Sequence, residues 1–328
     1  MLRSIAVCSF LFLSFPAAAE APSDLLLPID CRPGADCWIL RYADHDPGPG
    51  TRDYACGRLT GDGHKGTDFA IRDQAAMVAG VEVRAAAAGV VDALRDGMPD
   101  QSLEETGREA LGGRSCGNGV RLDHGDGWTT WYCHLRRGSL MVQEGDPVEA
   151  GQALALVGLS GETSFPHLHF DLRHGDRAVD PFVGTDGAQG CAAGERPLWH
   201  ADVMAELAYQ PVALVNAGIA PTPPEAEDAR RGYHNRATLP VTSRVLELWV
   251  ESYWVEAGDR VQFTVTGPDG APVLTQTVEL DRDFAHWFQF VGARRPGDAW
   301  PAGAYAAEVT LQRDGLAPVS LERMVELR

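Results

Sequence analysis

The chain has 328 residues, enough for two ordinary domains, and 45% hydrophobic with 23% charged residues is a globular composition rather than a disordered one. Acidic residues outnumber basic ones 46 to 28, so no basic stripe is available to hold a phosphate backbone by counterion release, and nucleic acid is excluded as a partner. The single lysine, Lys65, excludes a polybasic membrane patch.

The chain opens with Arg3, an apolar run from Ile5 to Phe15, then Pro16 and Ala17-Ala18-Ala19 before Glu20. An early charge, a short apolar core and an A-x-A site predict a secretory signal peptide over 1–19, cleaved after Ala19. The run is too short to span a bilayer, which takes about 20 apolar residues. No later stretch is long and apolar enough for an anchor, so an exported protein, periplasmic or secreted, without a membrane anchor is expected. Beyond Cys8, inside the run, six cysteines remain: Cys31, Cys37, Cys56, Cys116, Cys133 and Cys191. In an exported chain that predicts three disulfides, with about 15 pairings open. Cys116 and Cys133 are the expected pair. They flank a hairpin pattern in which Val120-Arg121-Leu122 and Thr129-Thr130-Trp131 surround the turn His124-Gly125-Asp126-Gly127.

From Asp62 to Pro181 short β segments are broken by Gly and Asp, as in Thr67–Ile71, Val81–Arg84 and Gly89–Val91. The fold class predicted is mainly β, beginning with an antiparallel β domain over 20–190 with a core at about 60–182. Pro99 to Gly113 reads as an inserted loop with one or two helical turns, of the kind that walls a groove. Residues 191–238 read as a helical joint: Leu198 to Tyr209 has helical spacing, and Thr222-Pro223-Pro224-Glu225 has the pattern of a capping box, closed at Gly232. From Leu239 strands resume at Val245–Trp254, Arg260–Thr266, Val273–Glu279, Phe284–Val291, Ala304–Leu311 and Val319–Leu327. Six short strands with Pro-Asp-Gly and Arg-Asp-Gly turns predict an immunoglobulin-like β-sandwich over 239–328, with Tyr305 as a corner tyrosine. No catalytic constellation falls in that part, and His286 and Trp287 read as packing residues.

Two histidine clusters carry chemistry: Gly63-His64-Lys65-Gly66-Thr67-Asp68 and Phe165-Pro166-His167-Leu168-His169-Phe170-Asp171. In the second, both imidazoles project from one strand face, about 7 Å apart along it. In the first, the glycines argue for a turn running into a strand, which brings an imidazole and a carboxylate around one point. Two imidazoles and one carboxylate form a usual catalytic zinc set with a fourth position open. His134, in Trp131-Tyr132-Cys133-His134-Leu135, stands at a strand end, where catalytic side chains on β scaffolds often sit. His124, His174, His200 and His234 read as surface residues, and Asp44-His45-Asp46-Pro47 as an Asp-Pro turn.

His64-Lys65-Gly66-Thr67-Asp68, Tyr132-Cys133-His134-Leu135, Val142 to Gln152, Pro166-His167-Leu168-His169-Phe170 and Val179-Asp180-Pro181 together resemble the lysostaphin-type (LytM-domain) zinc metalloendopeptidases of bacterial cell walls, over roughly 60 to 182. The resemblance implies that His64, Asp68 and His169 bind one zinc ion per chain and that His134 and His167 are catalytic. It implies an exported zinc metalloendopeptidase whose substrate is the peptide cross-links of peptidoglycan. The alternative is a non-catalytic cell-wall-binding protein or an activator of another hydrolase; such members typically lack metal ligands, whereas all five positions are filled here. Phe165 stands where a Gly often precedes Pro-His-Leu-His, a departure that would reshape the groove. The stretch Glu144 to Gln152 also resembles biotin- and lipoate-carrier turns, but those carriers need a lysine at a hairpin tip, and Lys65 lies in the metal loop.

Overall fold

The computed structural model describes residues 21–187 and 190–328; the signal peptide read over 1–19 lies outside the described residues. The first unit carries strands β1 (Cys37–Arg41), β2 (Thr67–Ile71), β3 (Glu82–Arg84), β4 (Gly89–Arg95), β5 (Asn118–Asp123), β6 (Trp128–Leu135), β7 (Pro147–Val148), β8 (Ala153–Leu156), β9 (His167–His174) and β10 (Arg177–Val179). The main sheet runs β1-β2-β9-β6-β5-β4-β7 with β10 on β9, every pairing antiparallel, and β3 pairs with β8 beside it. The inserted loop holds a helix over Leu103–Thr106, whose N-cap Ser102 and Glu105 form a reciprocal capping box, and a 3-10 turn over Arg108–Leu111.

The second unit carries β11 (Ala213–Ala220), β12 (Thr238–Leu239), β13 (Val245–Val255), β14 (Arg260–Thr266), β15 (Pro272–Glu279), β16 (Phe284–Arg294), β17 (Gly303–Gln312) and β18 (Val319–Leu327). A three-stranded sheet β11-β13-β16 faces a five-stranded sheet β12-β18-β17-β14-β15. Leu246, Leu248 and Val250 of one meet Phe263, Tyr305 and Val309 of the other in one core. The two-residue period turns these side chains of each strand to this core, while β13 is buried on its other face as well.

Two local readings of the sequence need correction. The stretch 191–238 is not only helical: besides short helices over Ala201–Glu206 and Ala226–Arg230 it contains strand β11. All eight β11 residues are buried, because the strand lies between the two cores, with Ala213 and Val215 in one and Leu214, Ala217 and Ile219 in the other. Burial on both faces removes the alternation that would mark a strand. The capping box at Thr222–Glu225 does not form. Thr222 and Pro223 each precede a proline and are kept out of the helical region, so the helix starts later, with Glu225 as its extended N-cap and without a side-chain cap bond.

The cysteines pair as Cys31–Cys37, Cys56–Cys191 and Cys116–Cys133, the last as expected from the hairpin. No helix among the described residues is long and apolar enough to cross a membrane.

The two units share a packed, hydrogen-bonded contact. Tyr253 and Trp254 of β13 belong to the first unit's core, and Trp254 Nε1 donates to the Leu40 carbonyl at 2.7 Å. Arg58 donates to the Val255 carbonyl at 2.9 Å, and Asn216 Nδ2 to Asp73 Oδ2 at 3.1 Å, while Asp73 Oδ1 caps the helix over Gln74–Ala79. Trp254→Phe keeps most of the buried surface but strands the Leu40 carbonyl, which should cost about 1–3 kcal/mol. Urea unfolding followed by near-UV circular dichroism should show a lower midpoint, and an unchanged midpoint would remove this bond from the contact.

Candidate functional site

Three neighbouring strands assemble the site. On β2 and β9, Asp68 lies opposite His169, and on β9 and β6, His169 lies opposite Cys133, so His134 follows at the edge of the same group. His64 reaches it from the turn before β2. That turn is held by Asp44, whose carboxylate accepts from the Asp46, Arg52 and Gly63 amides at 3.1, 3.0 and 2.9 Å. Gly66 lets the turn press on β9: a Cβ there would lie 2.2 Å from the Phe170 carbonyl oxygen and 3.0 Å from the His169 ring.

The ligand atoms of His64, Asp68 and His169 lie within 4.8 Å of one another. His64 Nε2 is 3.1 Å from Asp68 Oδ1 and 3.2 Å from His169 Nδ1, and His169 Nδ1 is 2.8 Å from Asp68 Oδ1. His64 Nδ1 donates to the Tyr42 carbonyl at 2.8 Å, which fixes its tautomer and leaves Nε2 for the centre. The other such group among the described residues, Cys31, Asp36 and Cys37, has both thiols in a disulfide.

His167 and His134 stand beside this cluster, both buried, with ring centroids 4.6 Å apart. His167 Nδ1 bonds the Phe165 carbonyl and Thr163 Oγ1, each at 3.0 Å, and its Nε2 faces Asp68 Oδ1 at 3.5 Å. His134 Nδ1 donates to the Ser160 carbonyl at 2.7 Å, and its amide to the Cys116 carbonyl at 2.8 Å. Its backbone is left-handed, φ 63°, an uncommon conformation for a residue other than glycine.

Burial opposes the charge on Asp68, but the surrounding imidazoles, His64 foremost, hold its carboxyl well below the usual carboxylate range. Burial also disfavours the His64 cation, yet the Asp68 charge and hydrogen bond outweigh it and raise the imidazole. His134 is pushed well below the ordinary imidazole value by burial and then by repulsion from His167 and His169, so its ring is neutral. These five side chains line a cleft of about 670 Å³, walled by Leu103 and Arg108 of the inserted loop and by Trp131 and Phe165.

All five histidine and aspartate positions singled out in the sequence meet at this one place. The other histidines stand apart in structural roles. His45 bonds Asp180 at 2.7 Å, and His174 stacks on Trp128. His200 caps the helix over Ala201–Glu206. His124 and His234 are half-buried rather than surface residues; His124 bridges the Ala88 carbonyl and Thr130 Oγ1. Sequence reading missed the carbonyls of Tyr42, Ser160 and Phe165, because a backbone group has no side-chain signature. Asp44 is a turn residue in sequence, and its hold on the Gly63 amide gives that turn a function beside His64.

Peptidase family M23 matches residues 62–181. A protein of Haemophilus influenzae named "Uncharacterized metalloprotease" is 32% identical over 137 residues, 40% of this chain and 24% of its own length. Peptidoglycan DD-endopeptidase ShyA of Vibrio cholerae is 32% identical over 109 residues, 33% of this chain and 20% of its own length. Lipoprotein NlpD of Yersinia enterocolitica is 38% identical over 72 residues, 22% of this chain and 69% of that protein. The chain thus spans no more than 24% of the first two relatives. With the His64, Asp68 and His169 cluster inside the matched stretch, the chain belongs to peptidase family M23.

Proposed function

We propose that the protein is an exported zinc metalloendopeptidase that hydrolyses peptide cross-links of bacterial peptidoglycan, with His64, Asp68 and His169 as metal ligands and His134 and His167 as catalytic groups. The observation that carries this reading is the convergence of three donor atoms, Nε2, Oδ1 and Nδ1, on one point of an open cleft with two more buried imidazoles beside it. The donor set fits zinc: two imidazoles and one carboxylate, with a carbonyl fixing the His64 ring. Zinc bound there would polarise the scissile carbonyl and lower the pKa of water.

The chain's own residues then handle protons and orientation. A carbonyl only accepts, so His134 Nδ1 carries the hydrogen and its neutral ring offers the Nε2 lone pair as proton acceptor. His167 Nδ1 likewise donates to Phe165, which aims Nε2 towards Asp68 and the same point. With its Nδ1 hydrogen so engaged, Nε2 takes up a proton as an acceptor, and only the doubly protonated ring would donate from Nε2 to developing negative charge. The name of ShyA, a peptidoglycan DD-endopeptidase, supports the substrate class. The alternative, a non-catalytic wall-binding protein or activator, has no missing ligand in its favour.

We read residues 20–190 as the peptidase domain, joined through 191–238 to an immunoglobulin-like unit. What supports the latter is the arrangement of its sheets and Tyr305, whose hydroxyl donates to the Pro301 carbonyl at 2.9 Å as a corner tyrosine does. Export is supported by the signal sequence and by six paired cysteines.

Incubating purified sacculi with the zinc-loaded protein and identifying the released muropeptides by mass spectrometry tests the activity; cross-linked dimers should fall and monomers rise, and unchanged dimers would refute it. In the same assay His64→Ala, Asp68→Ala and His169→Ala should lose zinc and activity together. His134→Ala and His167→Ala should keep zinc and lose about 100-fold or more in turnover. A His167→Ala protein without metal beside a His169→Ala protein that retains it would reverse the assignment.

Zinc must also displace the His64 proton, which the Asp68 carboxylate holds more tightly than in free imidazole. Zinc affinity should therefore weaken as pH falls through a pKa above the ordinary imidazole value, by about tenfold or more per pH unit. Chelator competition between pH 8 and 5, roughly spanning the imidazole range, is the measurement, and a flat profile would contradict the assignment.

A further inference from the structure

Phe165, the residue that departs from the resembled pattern, has its ring between two others. Its centroid is 4.7 Å from that of His167, with planes at 30°, and 5.7 Å from that of Tyr253 on the other side. Its carbonyl also takes the His167 Nδ1 hydrogen. Tyr253 is not a residue of the peptidase unit: it lies on β13, opposite Ala213 of β11 and His286 of β16. The His286 ring stands 4.9 Å behind Tyr253, and His286 Nε2 bonds Glu251 Oε1 at 2.8 Å. Glu251 is buried and paired with Arg230 at 2.8 Å. A row of rings thus runs from a fixed ion pair in the second unit through His286, Tyr253 and Phe165 to His167.

We infer that Tyr253 is a positioning residue for the reaction, holding Phe165 against His167, so that the second unit supports one wall of the catalytic cleft from behind. This rests on the reading of His167 as a catalytic group. Phe165 is only half-buried, and the Tyr253 ring is one of the contacts that limit its side-chain rotation. Freed of that contact, Phe165 gains rotamers and leaves the His167 face, and the imidazole keeps its Nδ1 bonds but loses the surface that sets its tilt. A second contact supports the same side of the cleft: Arg231, just after the helix over Ala226–Arg230, reaches Glu105 of the inserted loop at 3.2 Å.

The test uses the full-length, zinc-loaded chain and the variants Tyr253→Ala, Tyr253→Phe and Phe165→Ala. Zinc content and urea midpoint are measured beside kcat and KM on a soluble cross-linked muropeptide. Proton NMR of the His167 ring is recorded on the same samples, because a stacked phenyl ring shifts those resonances whether or not the protein turns over. Tyr253→Ala should bind zinc fully, lose about 10- to 100-fold in kcat with little change in KM, and move the His167 resonances. Tyr253→Phe should restore both kcat and resonances, since the ring and not the hydroxyl makes the contact. Phe165→Ala, at a half-buried site that tolerates truncation, should reproduce the loss. Tyr253→Ala and Phe165→Ala proteins with wild-type kcat and unmoved His167 resonances would overturn the inference. A wild-type protein that leaves muropeptides intact would instead refute the catalytic reading, and the resonances would still decide whether Tyr253 holds His167.

Discussion

A carboxylate with 2% of its surface exposed has to be paired, and the pairing of Asp68 organises the first unit. Three imidazoles surround one oxygen of that carboxylate, at 2.8, 3.1 and 3.5 Å. Reaching it requires the register that sets Asp68 opposite His169, the turn that returns His64, and a glycine at 66 where no side chain has room. A slip of one residue between β2 and β9 would carry His167 and His169 to the other face of the sheet and leave a buried negative charge alone. Two imidazole nitrogens and a carboxylate oxygen, each able to offer a lone pair to one point, are what make the place suited to a divalent cation.

A second constraint is the control of ring orientation by backbone. Tyr42, Ser160 and Phe165 each present a carbonyl to an Nδ1 atom, so three imidazoles have fixed tautomers with Nε2 directed inward. His134 requires more than a hydrogen bond. Its left-handed backbone persists because the Cys116–Cys133 bond, the His134 amide bond to Cys116 and the Ser160 carbonyl restrain it from both sides. Gly117 permits this approach, since a Cβ there would lie 2.3 Å from the Ser160 carbonyl oxygen. The disulfide therefore contributes to the site as well as to stability.

Much of this could be read from residues whose pattern is local. The six strands after Leu239 alternate, carry turn residues at their ends, and fall within three residues of their expected bounds. The chemistry-bearing side chains are legible because H-x-x-x-D and H-x-H, each weak alone, occur together in the order and spacing of a known family. What stayed hidden lacked a local signal. Strand β11, Ala213–Ala220, is apolar on both faces and so has no period, and β1 is too short and too bounded by cysteines to mark itself. Thr222 to Glu225 have the residue types of a capping box, but Thr222 and Pro223 each precede a proline, which moves the helix start on to Glu225. The contact of Phe165 with Tyr253 spans 88 positions and depends on how two cores pack, which no window of sequence reports.

The two units meet through Trp254, Arg58, Asn216 and the contact of Tyr253 with Phe165, which itself lines the cleft. The proposed metal site has three protein ligands, His64, Asp68 and His169. Zinc K-edge X-ray absorption on the purified full-length protein tests it most directly. The expected spectrum shows a first shell of nitrogen and oxygen only, at about 2.0–2.2 Å, with outer-shell scattering from two imidazoles. A sulfur scatterer at about 2.3 Å, or a shell without imidazole scattering, would contradict it.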